Sequence, residues 1–212
     1  MTEEILQRDS FSYFAHETNP ANGLVIDKTS PDCPASIAAT GLALAAYPVG
    51  IERGFMARPA AVERALVTLR FFWNSPHGPE PDATGYQGFY YHFLDMRTGR
   101  RAWQCELSTI DTAFLLAGML TATSYFDADT ADEHEVRTLA DDLYRRANWH
   151  LAQNQEAMLT QGWKPECGFL QDRWKGYDEG LLLYMLALGS LDGFCSRWPM
   201  SRSPCPFENP AP

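Results

Sequence analysis

Asp111 and Glu179 are the residues of this chain best placed to do chemistry. Asp111 opens the run Asp-Thr-Ala-Phe-Leu-Leu-Ala-Gly-Met-Leu, and Glu179 sits within Gly-Tyr-Asp-Glu-Gly-Leu-Leu-Leu-Tyr-Met-Leu-Ala-Leu-Gly. Helices that are apolar nearly all round are buried in globular proteins. Each acid is therefore aimed from a first helical turn into an enclosed end of a bundle. Two carboxyl groups, one holding a proton and one ionised, are the minimum apparatus for cleaving a glycosidic bond. The plainer role for either acid alone is to cap its helix and complement the macrodipole.

The proton-holding member needs burial or a neighbouring like charge. Glu106 near Asp111 and Asp178 beside Glu179 are placed to supply one. Asp111 and Glu179 are thus the candidate working pair, with Glu106 as a third member. Tyr91, Trp103, Trp174 and Tyr177 lie beside these acids in sequence and are candidates for stacking on sugar rings. Core packing is the alternative for each. His92, Arg173 and Asp178 are candidates for binding hydroxyls, while an ion pair of Arg173 with Asp172 or Asp178 is equally open. Asp95 belongs to a hairpin turn, and Asp27 either holds a turn or touches substrate. The acidic stretch 127–142 reads as a solvated helix face.

These residues need elements to position them. The opening, to Phe14, reads as a short aromatic segment, followed by a loop signalled by Asn19-Pro20 and Asn22-Gly23. A small-residue helix begins at Ser36 and is expected to end at Pro48. Pro59 starts an amphipathic helix to about Trp73. Residues 75–87 are loop, and 88–103 predict two strands around an Asp95–Gly99 turn. An apolar helix at 109–125, a charged amphipathic one at 132–154 and a last apolar one at 178–189 follow. Apolar helices beginning near 37, 109 and 178, with amphipathic ones between, suggest an α/α toroid with Ser36, Asp111 and Glu179 on one rim. A generic helical bundle is the alternative topology.

The 212 residues suffice for one good-sized domain, and 45% hydrophobic with 21% charged residues reads as globular. A net charge of −10 argues against nucleic-acid binding, which needs a basic face, and suits a neutral substrate. Five dispersed cysteines without a Cys-x-x-Cys pair, and scattered histidines, point to no metal site and no cofactor. The N-terminus lacks the basic start and apolar stretch of a signal peptide, and no run is long enough to span a membrane. A cytoplasmic location is the resulting expectation.

Several motifs in order carry a resemblance. They are Phe11-Ser-Tyr-Phe14, Asn19-Pro-Ala-Asn-Gly-Leu-Val-Ile-Asp27, Gly88-Phe-Tyr-Tyr-His-Phe-Leu-Asp95, Glu106-Leu-Ser-Thr-Ile-Asp-Thr-Ala113, and Trp174-Lys-Gly-Tyr-Asp-Glu179 with Tyr184-Met-Leu-Ala-Leu-Gly-Ser190. From about Ser10 to Ser190 the chain resembles the glycoamylase-like family, which includes endo-β-1,2-glucanases and a module of cyclic β-1,2-glucan synthases. The resemblance implies an (α/α)6 barrel acting on glucans without a metal. It aligns Asp111 with an acid at the start of an inner helix and Glu179 with a second acid. Some glucanases carry a further Asp three residues before the first; Ser108 stands there, with Glu106 as the nearest alternative. The family domain is about twice as long as the matching part. After Ser190 the chain instead becomes rich in proline.

The reading is therefore an all-α fold, a partial (α/α)6 toroid of about three helical hairpins with a small β-hairpin insertion. Residues 1–190 would form the N-terminal half of a glycoamylase-like barrel, and 191–212 an irregular Pro-rich tail. The expected function is two-carboxylate hydrolysis of β-glucan, most simply β-1,2-linked, with truncation as a route to inactivity. The alternative is a non-catalytic glycan-binding or interaction half-domain that needs a separate second half. A sugar isomerase or epimerase is a weaker third reading, since only His92 lies near the motifs. Expected partners are a glucan oligo- or polysaccharide and, through exposed inner helices, a second copy of the chain.

Overall fold

The computed structural model describes residues 2–190, so the expected tail at 191–212 lies outside the described residues. In chain order the elements are α1 (Glu3–His16), β1 (Ala35–Ser36), α2 (Ile37–Glu52), α3 (Arg58–Asn74), β2 (Gly85–Tyr86), β3 (Phe89–Tyr91), β4 (Phe93–Leu94), β5 (Leu107–Ser108), α4 (Thr109–Tyr125), α5 (Ala131–Arg146), α6 (Trp149–Gln153), β6 (Gly162–Lys164), β7 (Gly168–Phe169) and α7 (Gly180–Gly189). The apolar helices form one layer, with α4 between α2 and α7. The amphipathic helices α3 and α5 pack on each other, with α5 also against α4.

Four helices begin where the sequence offers a hydroxyl to the open amides of the first turn. Thr2, Ser36, Ser108 and Thr130 accept from the N–H groups of Ile5, Ala39, Asp111 and Glu133. The α2–α4 crossing is set by two glycines. A Cβ on Gly118 would sit 2.0 Å from the Gly41 carbonyl oxygen, and one on Gly41 would sit 2.4 Å from that of Phe114. The two backbones touch there, which only glycine permits.

The structure revises several boundaries. The opening segment is a four-turn helix, because Thr2 caps it and Phe11 anchors it in the core. Pro48 does not end α2, which continues to Glu52. The proline removes one hydrogen bond near the helix end, while Tyr47 and Gly50 on either side are buried. The charged helix ends at Arg146, and α6 starts separately after Asn148, whose backbone N–H donates to Gln87.

The strand content exceeds a small hairpin. Five strands form an antiparallel sheet in the order β2-β3-β5-β6-β7, and β1 pairs with β4 in a second sheet. The Asp95 turn is present: the Asp95 carboxylate accepts from the Arg97 and Thr98 amides and the Thr98 hydroxyl, which holds it below its usual pKa range. Several large aromatics are core, among them Tyr47, Phe72, Phe89, Tyr90, Tyr91, Phe126 and Trp149. Among the described residues no helix is long and apolar enough to cross a membrane.

Candidate active site

The strands place the helix starts. Strand β5 runs directly into α4, and Ser108 is both its last residue and the N-cap. It pairs with Tyr90 on one side and Gly162 on the other. Strand β1 likewise runs into α2. His92 lies at the break between β3 and β4, where the chain passes from the larger sheet to the smaller. Its N–H donates to the Glu106 carbonyl at 3.0 Å, and its carbonyl accepts from Ile37 N–H at 3.2 Å. The backbone at His92 thereby straps the starts of α2 and α4 together.

Around this strap lies a hollow of about 420 Å³, lined by His92, Glu106, Ser108, Asp111, Trp174 and Glu179, with Phe114, Gln161 and Leu170 among its other walls. His92 Nδ1 is 3.0 Å from Glu106 Oε1, and Nε2 is 3.6 Å from Asp111 Oδ1. The Ser108 hydroxyl donates to Asp111 Oδ2 at 2.5 Å and accepts the Asp111 N–H at 3.2 Å. Trp174 is fixed by a hydrogen bond from its Nε1 to Thr109 Oγ1 at 3.1 Å.

The three titratable groups are pushed apart. Burial raises the Asp111 carboxyl above its usual pKa and the Glu106 charge adds to this, with the Ser108 hydrogen bond and His92 opposing. Glu106 is lowered by its hydrogen bond with His92, against its own burial. Burial works against the His92 charge, but Glu106, Asp111 and Asp27 outweigh it, and the imidazole is raised.

Neither acid of the working pair caps its helix with its side chain. Ser108 caps α4, and the Asp178 carboxylate accepts from Gly180 N–H at 2.9 Å while Glu179 makes no capping bond. Glu179 is exposed, at the mouth of the hollow.

Of the residues singled out from sequence, five meet here: Asp111, Glu179, Glu106, His92 and Trp174. The others stand elsewhere. Tyr91 is fully buried beneath the Arg101 guanidinium, on a strand whose three residues are all buried. Among the described residues Arg173 pairs with no acid; its Nη1 donates to the carbonyls of Gln153 and Met158, both at 3.3 Å. Tyr177 is 82% exposed and does not line the hollow, and Asp178 is spent on the cap. Trp103 lines a different hollow. Phe114 and Gln161 escaped the sequence reading. Phe114 was accessible through its helical spacing three residues after Asp111, whereas nothing local marks Gln161.

His92, Glu106 and Asp111 offer ligand atoms within 4.8 Å of one another, a spacing that would admit a cation. Both His92 nitrogens already face carboxylate oxygens, so a cation would have to displace these contacts.

No family model matches the chain. It is 28% identical over 202 residues to the exo β-1,2-glucooligosaccharide sophorohydrolase (non-reducing end) of Parabacteroides distasonis, covering 89% of this chain and 27% of that protein. A solved β-1,2-glucanase from the same organism superposes with a TM-score of 0.78 at 25% identity, covering 89% of this chain and 28% of that one. The chain is thus similar to hydrolases named for β-1,2-glucans over part of their length. An endo-β-1,2-glucanase from Chitinophaga pinensis, solved with sophorotriose and glucose, shares the fold with a TM-score of 0.77 at 23% identity, over 88% of this chain and 46% of that one. The chain spans less than half the length of each of these relatives.

Proposed function

We propose that this glycoamylase-like chain carries the acid cluster of a glycoside hydrolase for β-1,2-linked glucan, its two helical layers being part of an (α/α)6 toroid. The single observation that carries the reading is the convergence of Glu106 and Asp111, from the β5–α4 junction, with Glu179, from the start of α7, on one hollow walled by Trp174. The names of the relatives support the choice of linkage.

The chemistry follows from the environments. Cleavage needs a proton on the departing glycosidic oxygen and a carboxylate to activate water or stabilise the sugar cation. Asp111, raised by burial and by the neighbouring Glu106 charge, is the group suited to hold the proton. Glu106, kept ionised by His92, stabilises positive charge nearby. Glu179, across the hollow and open to solvent, is suited to work on the opposite face of the sugar. Trp174 offers an apolar ring to the sugar's C–H face.

The test is release of sugar from linear β-1,2-glucan by the purified chain and by Asp111→Asn and Glu179→Gln. Each substitution is expected to lower kcat by about 10²–10⁴. Retention of full activity by both variants would remove the assignment. A chelator is expected to leave turnover unchanged, because His92 spends both nitrogens on carboxylates. Binding of glucan without turnover by the unaltered chain would favour the second reading, a glycan-binding half-domain. The partial coverage of the relatives motivates that reading.

A further inference from the structure

Beside the acid hollow lies a second one of about 860 Å³, lined by Ile26, Asp32, Met96, Arg97 and Trp103 among others. Its most conspicuous member is Trp103, whose side chain belongs by chemistry in a core and yet is 63% exposed. Trp103 and Gln104 both adopt left-handed backbone, with φ of 53° and 50°. That conformation is costly for residues with a Cβ and persists only where the surroundings over-determine it. Here they do: the Gln104 carbonyl accepts from Arg101 Nη2 at 2.9 Å and Lys164 Nζ at 3.0 Å, and Cys105 N–H closes onto Ala102 O at 3.1 Å. The backbone that carries the indole is thus fixed, and the ring is presented to solvent as an apolar surface.

The indole is also connected to the acids. Its ring centroid lies 5.2 Å from that of Phe93, and Phe93 stacks on His92 at 3.9 Å with an interplanar angle of 14°. Trp103, Phe93 and His92 form a continuous line of rings that ends at Asp111 in the acid hollow. Hydroxyl partners stand beside the indole. The Asp32 carboxylate and the Arg97 guanidinium line the same hollow, and neither side chain makes a hydrogen bond among the described residues. An exposed ring flanked by one free acceptor and one free donor set matches a pyranose, which has C–H groups on its face and hydroxyls at its rim.

We propose that the Trp103 hollow is a distal subsite for a glucose unit of the same glucan whose bond is cleaved at the acid hollow. It would make the chain favour longer oligosaccharides, since binding energy gathered away from the reacting bond can be used at it. The inference rests on reading the acid hollow as a glucan site.

The experiment compares Trp103→Ala, Trp103→Phe and Arg97→Ala with the unaltered chain on linear β-1,2-gluco-oligosaccharides of increasing length. It measures kcat and KM, together with calorimetric binding in an Asp111→Asn background. Trp103→Ala is expected to raise KM and Kd for the long substrates by roughly five- to tenfold, with little change on the shortest. Trp103→Phe should lie between, and Arg97→Ala should show a smaller, length-dependent loss. Cleavage or binding by the unaltered chain with an identical length dependence in Trp103→Ala would overturn the subsite alone. Should Trp103→Ala fail to fold, a length dependence unchanged in both Trp103→Phe and Arg97→Ala overturns it equally. If the unaltered chain neither cleaves nor binds β-1,2-glucan, the acid-site reading and the subsite fall together.

Discussion

His92 is the residue on which the behaviour of the acid cluster turns, because it faces Glu106 with one nitrogen and Asp111 with the other. Its positive charge lowers both carboxyls, and Asp27 adds a further negative charge on its side. Replacing His92 with Gln removes that charge, so both carboxyls titrate at higher pH. Both limbs of the activity–pH profile should then move to higher pH, and a profile that merely drops in height would deny the coupling. Asp111 makes a separate statement about stability. Its pKa is raised on folding, so the folded state binds more protons between the unfolded and folded values, and stability falls as pH rises through that window. Above that window the cost is fully present. Asp111→Asn, which cannot ionise, should therefore lower turnover by about 10²–10⁴ while raising Tm at the alkaline side of the window, on the order of 1–3 °C. A lower Tm there would contradict the burial argument.

At the scale of elements, the contact between α2 and α4 sets where the two rims stand relative to each other. Gly118→Ala would drive a methyl into the Gly41 carbonyl, backbone that cannot yield as a side chain would. The expected cost is about 2–3 kcal/mol. In a chain of this size that lowers Tm by on the order of 5–10 °C, measurable by calorimetry. On the outer layer, Glu133 is nearly buried, with its side chain 6% exposed, and binds Arg58 through both oxygens at 2.8 Å. It also accepts the Ala128 N–H at 2.8 Å. Glu133→Ala leaves the half-buried Arg58 and that amide short of partners, and should cost about 2 kcal/mol by thermal or urea denaturation. Both predictions concern positioning, since neither residue lines the acid hollow.

For the molecule as a whole, the notable surface is the apolar side chains that α2 and α7 leave exposed. Leu42 and Val49 on α2, and Met185 and Leu188 on α7, are between 45% and 62% exposed. Apolar surface left on helices with no polar face tends to be covered by association. The purified chain should therefore associate with increasing concentration in sedimentation velocity, and Met185→Lys with Leu188→Lys should suppress this while leaving Tm within about 2 °C. A monomer at all concentrations would show that this surface is tolerated in water.

How much of this was readable in advance differed by element. Helix α4 was placed at its observed ends because a capping serine, an early acid and a long apolar run all act locally. Pro48 misled, since burial on both sides of it outweighs one missing hydrogen bond. The sheet was underestimated because its strands are two or three residues long, too short for alternation to register. Tyr91 and Trp103 were placed by adjacency to the acids. Yet β3 is buried along its whole length, Tyr91 included, and a left-handed turn carries Trp103 to a second hollow.

The amino-acid sequence by itself determined the helices whose starts bear Asp111 and Glu179, because capping and helical periodicity depend only on near neighbours. Only the tertiary structure decided that His92 stands between Glu106 and Asp111, and that Glu179 and Trp174 share their hollow. Those relations depend on strand registers and helix crossings between distant segments, whose hydrogen bonds and packing have no local signature.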